Sequence, residues 1–166
     1  MYYRRRLLLA LLQALGGRTE KMRLHKLLLL FMQRRGEAAY SFVTYSYGAF
    51  SFQANADMVA LTTRGLMANH DKEWELLDSE DHGAALKPAD RAVLRMVLEA
   101  YGTQGRDALV RETYIRYPYT AIRSKMAERL LDTAQLVAVA NALPPAGPEG
   151  LYTIGYEGLD LDAFLN

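Results

Sequence analysis

Tyr40-Ser-Phe-Val-Thr-Tyr-Ser-Tyr-Gly-Ala-Phe-Ser-Phe52 holds six of the chain's 17 aromatic residues in 13 positions, interrupted by a single glycine, Gly48. Loose alternation allows part of it to be a short strand, and Tyr47-Gly48-Ala49 marks a tight turn. The flanking segments give the passage its meaning. Before it, residues 2–15 read as a helix with Leu8, Leu11, Leu12 and Leu15 at helical spacing, stopped by Gly16-Gly17. Thr19 is placed to cap a second helix through its hydroxyl, with Leu24, Leu27, Leu28 and Phe31 inward and Gly36 after the basic last turn. Beyond the passage, Ser51 caps a third helix over 52–64, with Ala54, Met58 and Leu61 inward and Gly65-Leu66 closing it. Residues 66–68, a turn at 69–72 and residues 73–77 read as a hairpin with Trp74 and Leu76 on one face. That is the order of a winged helix.

A polar connection over 78–87 leads to a helix that starts at Pro88 and runs to about Tyr101, burying Val93, Leu94, Val97, Leu98 and Tyr101. Residues 106–116 resume helix with Leu109, Val110 and Tyr114 inward, and Pro118 breaks it. Ser124 restarts a helix through Leu131, and Asp132 or Thr133 caps one more through Leu143. The fold class expected is mainly α with a small β-hairpin. A winged-helix-like module spans 1–80 and a helical module packed on it spans 81–143. Pro144-Pro-Ala-Gly-Pro-Glu-Gly150 is a linker, and 151–166 reads as the opening strand and helix of an α/β domain otherwise absent. A lone strand leaves its backbone groups unpaired, so this tail is expected to dock on apolar surface, across a homodimer rather than within one chain.

The chain has 166 residues, 51% hydrophobic and 23% charged, as in ordinary globular domains. It contains no cysteine, which excludes disulfides and thiolate metal sites. The longest strongly apolar run, 27–32, is far short of a bilayer span, so no membrane role and a cytoplasmic setting are expected. The net charge of +1 conceals a strong asymmetry. Residues 1–36 carry nine Lys/Arg against Glu20 alone, whereas 70–81 carry six Asp/Glu against Lys72 alone. No phosphate-binding glycine loop, serine elbow or Glu-flanked histidine pair is present, so no catalytic residue, cofactor or metal ligand is assigned and a non-enzymatic role is expected.

Two stretches carry a family resemblance. Leu151-Tyr-Thr-Ile-Gly-Tyr-Glu-Gly158 with 161–165 resembles the start of the "domain of unknown function 488" family, which implies that this chain is the N-terminal extension of such a protein. Leu24-His-Lys-Leu-Leu28, Phe42, Tyr45-Ser-Tyr-Gly-Ala-Phe-Ser51, Asp57, Leu61 and Gly65-Leu66 are similar to small helical domains of antitoxins and defence loci, the Panacea type included. Ser46 stands where such domains carry lysine, and Ala49 where they carry proline.

The basic first third makes Arg4, Arg5, Arg6, Lys21, Arg23 and Lys26 the expected phosphate contacts. Ser51, Gln53, Asn55 and Arg64, on or beside the third helix, are the expected base-reading set, since Asn and Arg can bond adenine or guanine bidentately. The favoured function is a nucleic-acid-binding regulatory module with duplex DNA as its partner, in the defence or toxin–antitoxin setting that the second resemblance implies. Against it stands the hairpin's acidity: Asp71, Glu73, Glu75 and Asp78 repel phosphate. The alternatives are a protein-interaction or dimerisation adaptor, and an accessory N-terminal part of an enzyme whose catalytic domain is missing.

Overall fold

The structure, a computed structural model, describes residues 1–145 and 147. The chain folds as helix α1 (Tyr3–Ala14), strand β1 (Arg18–Glu20), α2 (Lys21–Arg35), strands β2 (Val43–Tyr45) and β3 (Gly48–Phe50), α3 (Phe52–Thr63), and strands β4 (Met67–Asn69) and β5 (Glu73–Leu76). Helices α4 (Pro88–Tyr101) and α5 (Arg106–Arg116), a 3-10 turn (Pro118–Ala121), α6 (Ala127–Leu130) and α7 (Thr133–Asn141) follow. The fold is mainly helical with small antiparallel sheets. The β2–β3 hairpin lies between the second and third helices.

Local chemistry sets most boundaries. Gly16 and Gly17 end α1 with φ of +86° and +78°. The Ser51 hydroxyl accepts the Ala54 N–H at 3.0 Å and starts α3, and Leu66 N–H returns to the Leu61 carbonyl to close it. Asp132 forms a reciprocal capping box with Gln135 at the head of α7.

The start of α2 differs from expectation. Thr19 does not cap the helix; it lies in β1, opposite Trp74 of β5. The sheet order is β1-β5-β4, so β5 is the middle strand. Trp74 is 2% exposed and belongs to the main core, as its alternating strand requires.

The core is broader than apolar stripes predict. Leu7 to Leu12 of α1 and Leu24 to Met32 of α2 are buried at every position. Helix α2 packs against α4 and α5 as well as α1 and β3. Leu86, Leu94, Val97, Tyr101 and Leu109 join the same cluster as the first two helices, so one core runs through both halves of the chain. A smaller cluster of Val110, Tyr114, Ala121, Ala127, Leu131 and Val139 lies under the last helices. The expected tail strand and helix lie outside the described residues, as does most of the linker.

Truncating Trp74 removes the ring that joins the middle strand to the core. Trp74→Ala is expected to lower unfolding free energy by about 3–5 kcal/mol in urea denaturation. A loss below about 1 kcal/mol would contradict the placement of this ring.

Candidate functional site

The ten residues expected to meet nucleic acid do not form one exposed face. Arg4 and Arg5 both bind Asp57 of α3, each through Nε at 2.7 Å. Asp57 is 2% exposed, and the Tyr40 hydroxyl donates to it at 3.2 Å. Burial works to raise the Asp57 pKa, but hydrogen bonds from Arg4 and Arg5 and their charges outweigh it and hold the carboxyl below its ordinary value. Arg23 donates to the carbonyls of Gly102 and Gln104 at the end of α4, where a cation suits the helix dipole. Lys26 is 2% exposed. The Ser51 hydroxyl is consumed by its capping bond. Gln53 is half-buried and Arg64 exposed. Arg6 is half-buried on α1.

Three of the ten, Lys21, Lys26 and Asn55, meet around a cavity of about 240 Å³ between α2 and the β2–β3 hairpin. Its floor and near wall are Lys21, Met22, His25 and Lys26, two i,i+4 pairs on one face of α2. The far wall comes from the aromatic passage: Tyr45, Tyr47, Gly48, Ala49 and Phe50. Asn55 of α3 and Trp74 of β5 close it. The Phe50 ring stacks on the His25 ring at 4.5 Å between centroids.

The hairpin is fastened from two sides. Lys26 Nζ donates to the Ala49 carbonyl at 2.8 Å. Tyr114 of α5 lies against the turn, where any side chain at Gly48 would overlap its ring, and Gly48 has φ +87°. Glycine is therefore required there by both space and backbone angle. The Tyr114 hydroxyl pairs with Ser124 Oγ at 2.5 Å, and Lys125 N–H reaches the Ser46 carbonyl at 2.9 Å.

Burial dominates the electrostatics of this cavity. It lowers the Lys26 pKa to about 7, and together with the neighbouring Lys26 charge it lowers that of His25 to about 3. His25 is thus neutral at physiological pH. Two polar atoms of residues that line it, His25 Nδ1 and Trp74 Nε1, are buried without a hydrogen-bond partner among the described residues. Such orphaned groups cost about 1–3 kcal/mol each.

No family model, curated protein or solved structure matches the chain. The site therefore rests on its own geometry. The other histidines are separate from it. His70 pairs with Glu75 at 2.6 Å in the β4–β5 hairpin. His82 is fully buried, with Nε2 at 3.0 Å from Asp78, and Asp78, Glu80 and His82 are the described residues spaced to share a metal ion. Asp81, its sequence neighbour, instead accepts the Ala84 N–H. Sequence reading passed over His25 and Trp74 as site residues. The available signal was His25-Lys26 set among leucines at core spacing, two polar side chains where a helix would be buried.

Lys26 makes folding depend on pH. With the folded pKa near 7 and the unfolded one near the ordinary lysine value, the unfolded chain binds more protons between them, so stability rises with pH in that window. Urea denaturation is expected to show a gain from pH 7 to 9, on the order of a few kcal/mol at most, that Lys26→Met lacks. Parallel profiles for the two proteins would contradict the buried amine.

Proposed function

We propose that the chain is a protein-interaction module on a winged-helix-like frame, and that it reaches its partner through the aromatic hairpin and the outer side of α3. One observation carries this reading: four of the six cations expected to hold phosphate are used inside the protein. Arg4 and Arg5 share Asp57, Arg23 holds the end of α4, and Lys26 is buried under the hairpin. The turn between β4 and β5, which lies beside the backbone in a DNA-bound winged helix, offers Asp71 and the acidic strand residues Glu73 and Glu75.

The surface beside α3 is of another kind. Tyr45 and Tyr47 are 48% and 49% exposed, and Tyr45 packs on Phe50 and Phe52 at 5.4 and 5.7 Å between centroids. From Phe52 the surface continues along α3 through exposed Ala56, Val59 and Thr63. Exposed tyrosines are among the residues that protein interfaces concentrate. The antitoxin-like resemblance of the sequence is compatible with this reading. Duplex-DNA binding is the competing one, favoured by the element order that puts Gln53 and Asn55 on the third helix and Arg64 at its end.

Duplex-DNA titration followed by anisotropy at about 50 and 200 mM salt separates the two. The natural chain is expected to show no binding. Asp57→Asn, which removes the carboxylate charge that Arg4 and Arg5 share, is expected to gain weak binding that falls with salt. A photo-crosslinking residue at position 47 is expected to capture a protein in the source cells, while one at position 95, on the exposed side of α4, captures none. Tight, salt-sensitive binding by the natural chain that Arg5→Glu abolishes would overturn the proposal.

A further inference from the structure

We propose that the cavity between α2 and the β2–β3 hairpin is a binding site for a small aromatic carboxylate. The inference shares Tyr45 and Tyr47 with the protein-partner reading but does not rest on it, since α2 and Trp74 also wall the cavity. An apolar cavity of about 150 Å³ already admits benzene. The 240 Å³ here leaves room for one ring with a short polar arm. Met22, Tyr45, Tyr47 and Phe50 supply apolar and aromatic wall for the ring.

The polar atoms define the arm. Trp74 Nε1–H can only donate, it is buried, and it has no acceptor among the described residues. His25 Nδ1, in a residue 5% exposed, is likewise without a partner. The Lys26 amine lies in the same wall, bonded to one carbonyl and to no carboxylate. The lining contains two lysines and no acidic side chain. Lys21 Nζ lies 5.0 Å from the centroid of the Trp74 ring, so a second cation brought to that ring would be repelled. An anionic acceptor is the group that this set lacks. A carboxylate offers two oxygens with several lone pairs, and the Lys26 amine and the Lys21 side chain are the cations in the lining that can meet it. The buried amine gains most from such a ligand, because an adjacent anion restores the charged form that burial disfavours.

Trp74 is the only tryptophan, so its indole N–H gives one cross-peak in a proton–nitrogen correlation spectrum and reports from the cavity wall. Benzoate, its neutral isostere benzamide, and acetate are the probes. Benzoate is expected to shift this peak saturably, with affinity at least tenfold above that of benzamide or acetate. Lys26→Met is expected to weaken benzoate at least tenfold. Tyr47→Ala, at a half-exposed position that leaves the core intact, keeps the test decisive if the lysine variant does not fold, and is expected to weaken benzoate several-fold. No saturable shift with benzoate, equal shifts with benzamide, or unchanged affinity in Tyr47→Ala would overturn the proposal.

Discussion

The bond from Lys26 to the Ala49 carbonyl is the contact on which the layout around the hairpin depends. A helix buried on all sides ordinarily carries only apolar residues, since an unpaired ammonium in a core is strongly disfavoured. Helix α2 places His25 and Lys26 in its buried stretch, and the β2–β3 hairpin lies across that position. The hairpin supplies a carbonyl to the amine and a phenyl ring to the imidazole. In return the hairpin gains an anchor that three-residue strands could not provide by themselves, because an isolated two-stranded pair is at best marginally stable in water. Gly48 extends the arrangement to α5 by letting Tyr114 lie on the turn.

The arginines follow the same logic at the rim of the core. Asp57 draws in Arg4, Arg5 and Tyr40, while Asp90 draws in Arg35 and Tyr3, which ties α1 to α3 and α2 to α4. Breaking such a buried pair leaves an uncompensated charge, so these contacts hold geometry even where their net contribution to stability is small. They also determine what the surface can offer. A charge committed to a buried carboxylate is a poor ligand for a phosphate, which removes Arg4, Arg5 and Arg35 from what the surface can present.

Elements specified by local chemistry were legible in the sequence. The Ser51 cap, the closing Gly65-Leu66 pair, the Pro88 start of α4 and the inward face of Trp74 all follow from neighbouring residues. What could not be read is what depends on distant partners. Strand β1 is three residues, Arg-Thr-Glu, with no apolar alternation, and it exists through pairing with β5 some fifty positions later. Thr19 beside a helix start reads as a cap until that partner is known. Lys26 reads as the solvated side of an amphipathic helix because its cover, the hairpin and α5, is a tertiary fact. The Arg4–Asp57 and Arg5–Asp57 pairs, 53 and 52 positions apart, are invisible for the same reason. The candidate cavity was thus half legible: its aromatic wall was marked by composition, and its polar floor was mistaken for surface.

Residue-resolved native-state hydrogen exchange of the natural chain against Lys26→Met tests this dependence most directly, because it reports local opening separately from global unfolding. Loss of the amine is predicted to speed exchange of amides in the β2–β3 hairpin by at least tenfold relative to those in the middle of α1 and α4. Equal acceleration throughout, or hairpin amides that exchange as slowly as in the natural chain, would contradict the claim that Lys26 holds the hairpin in place.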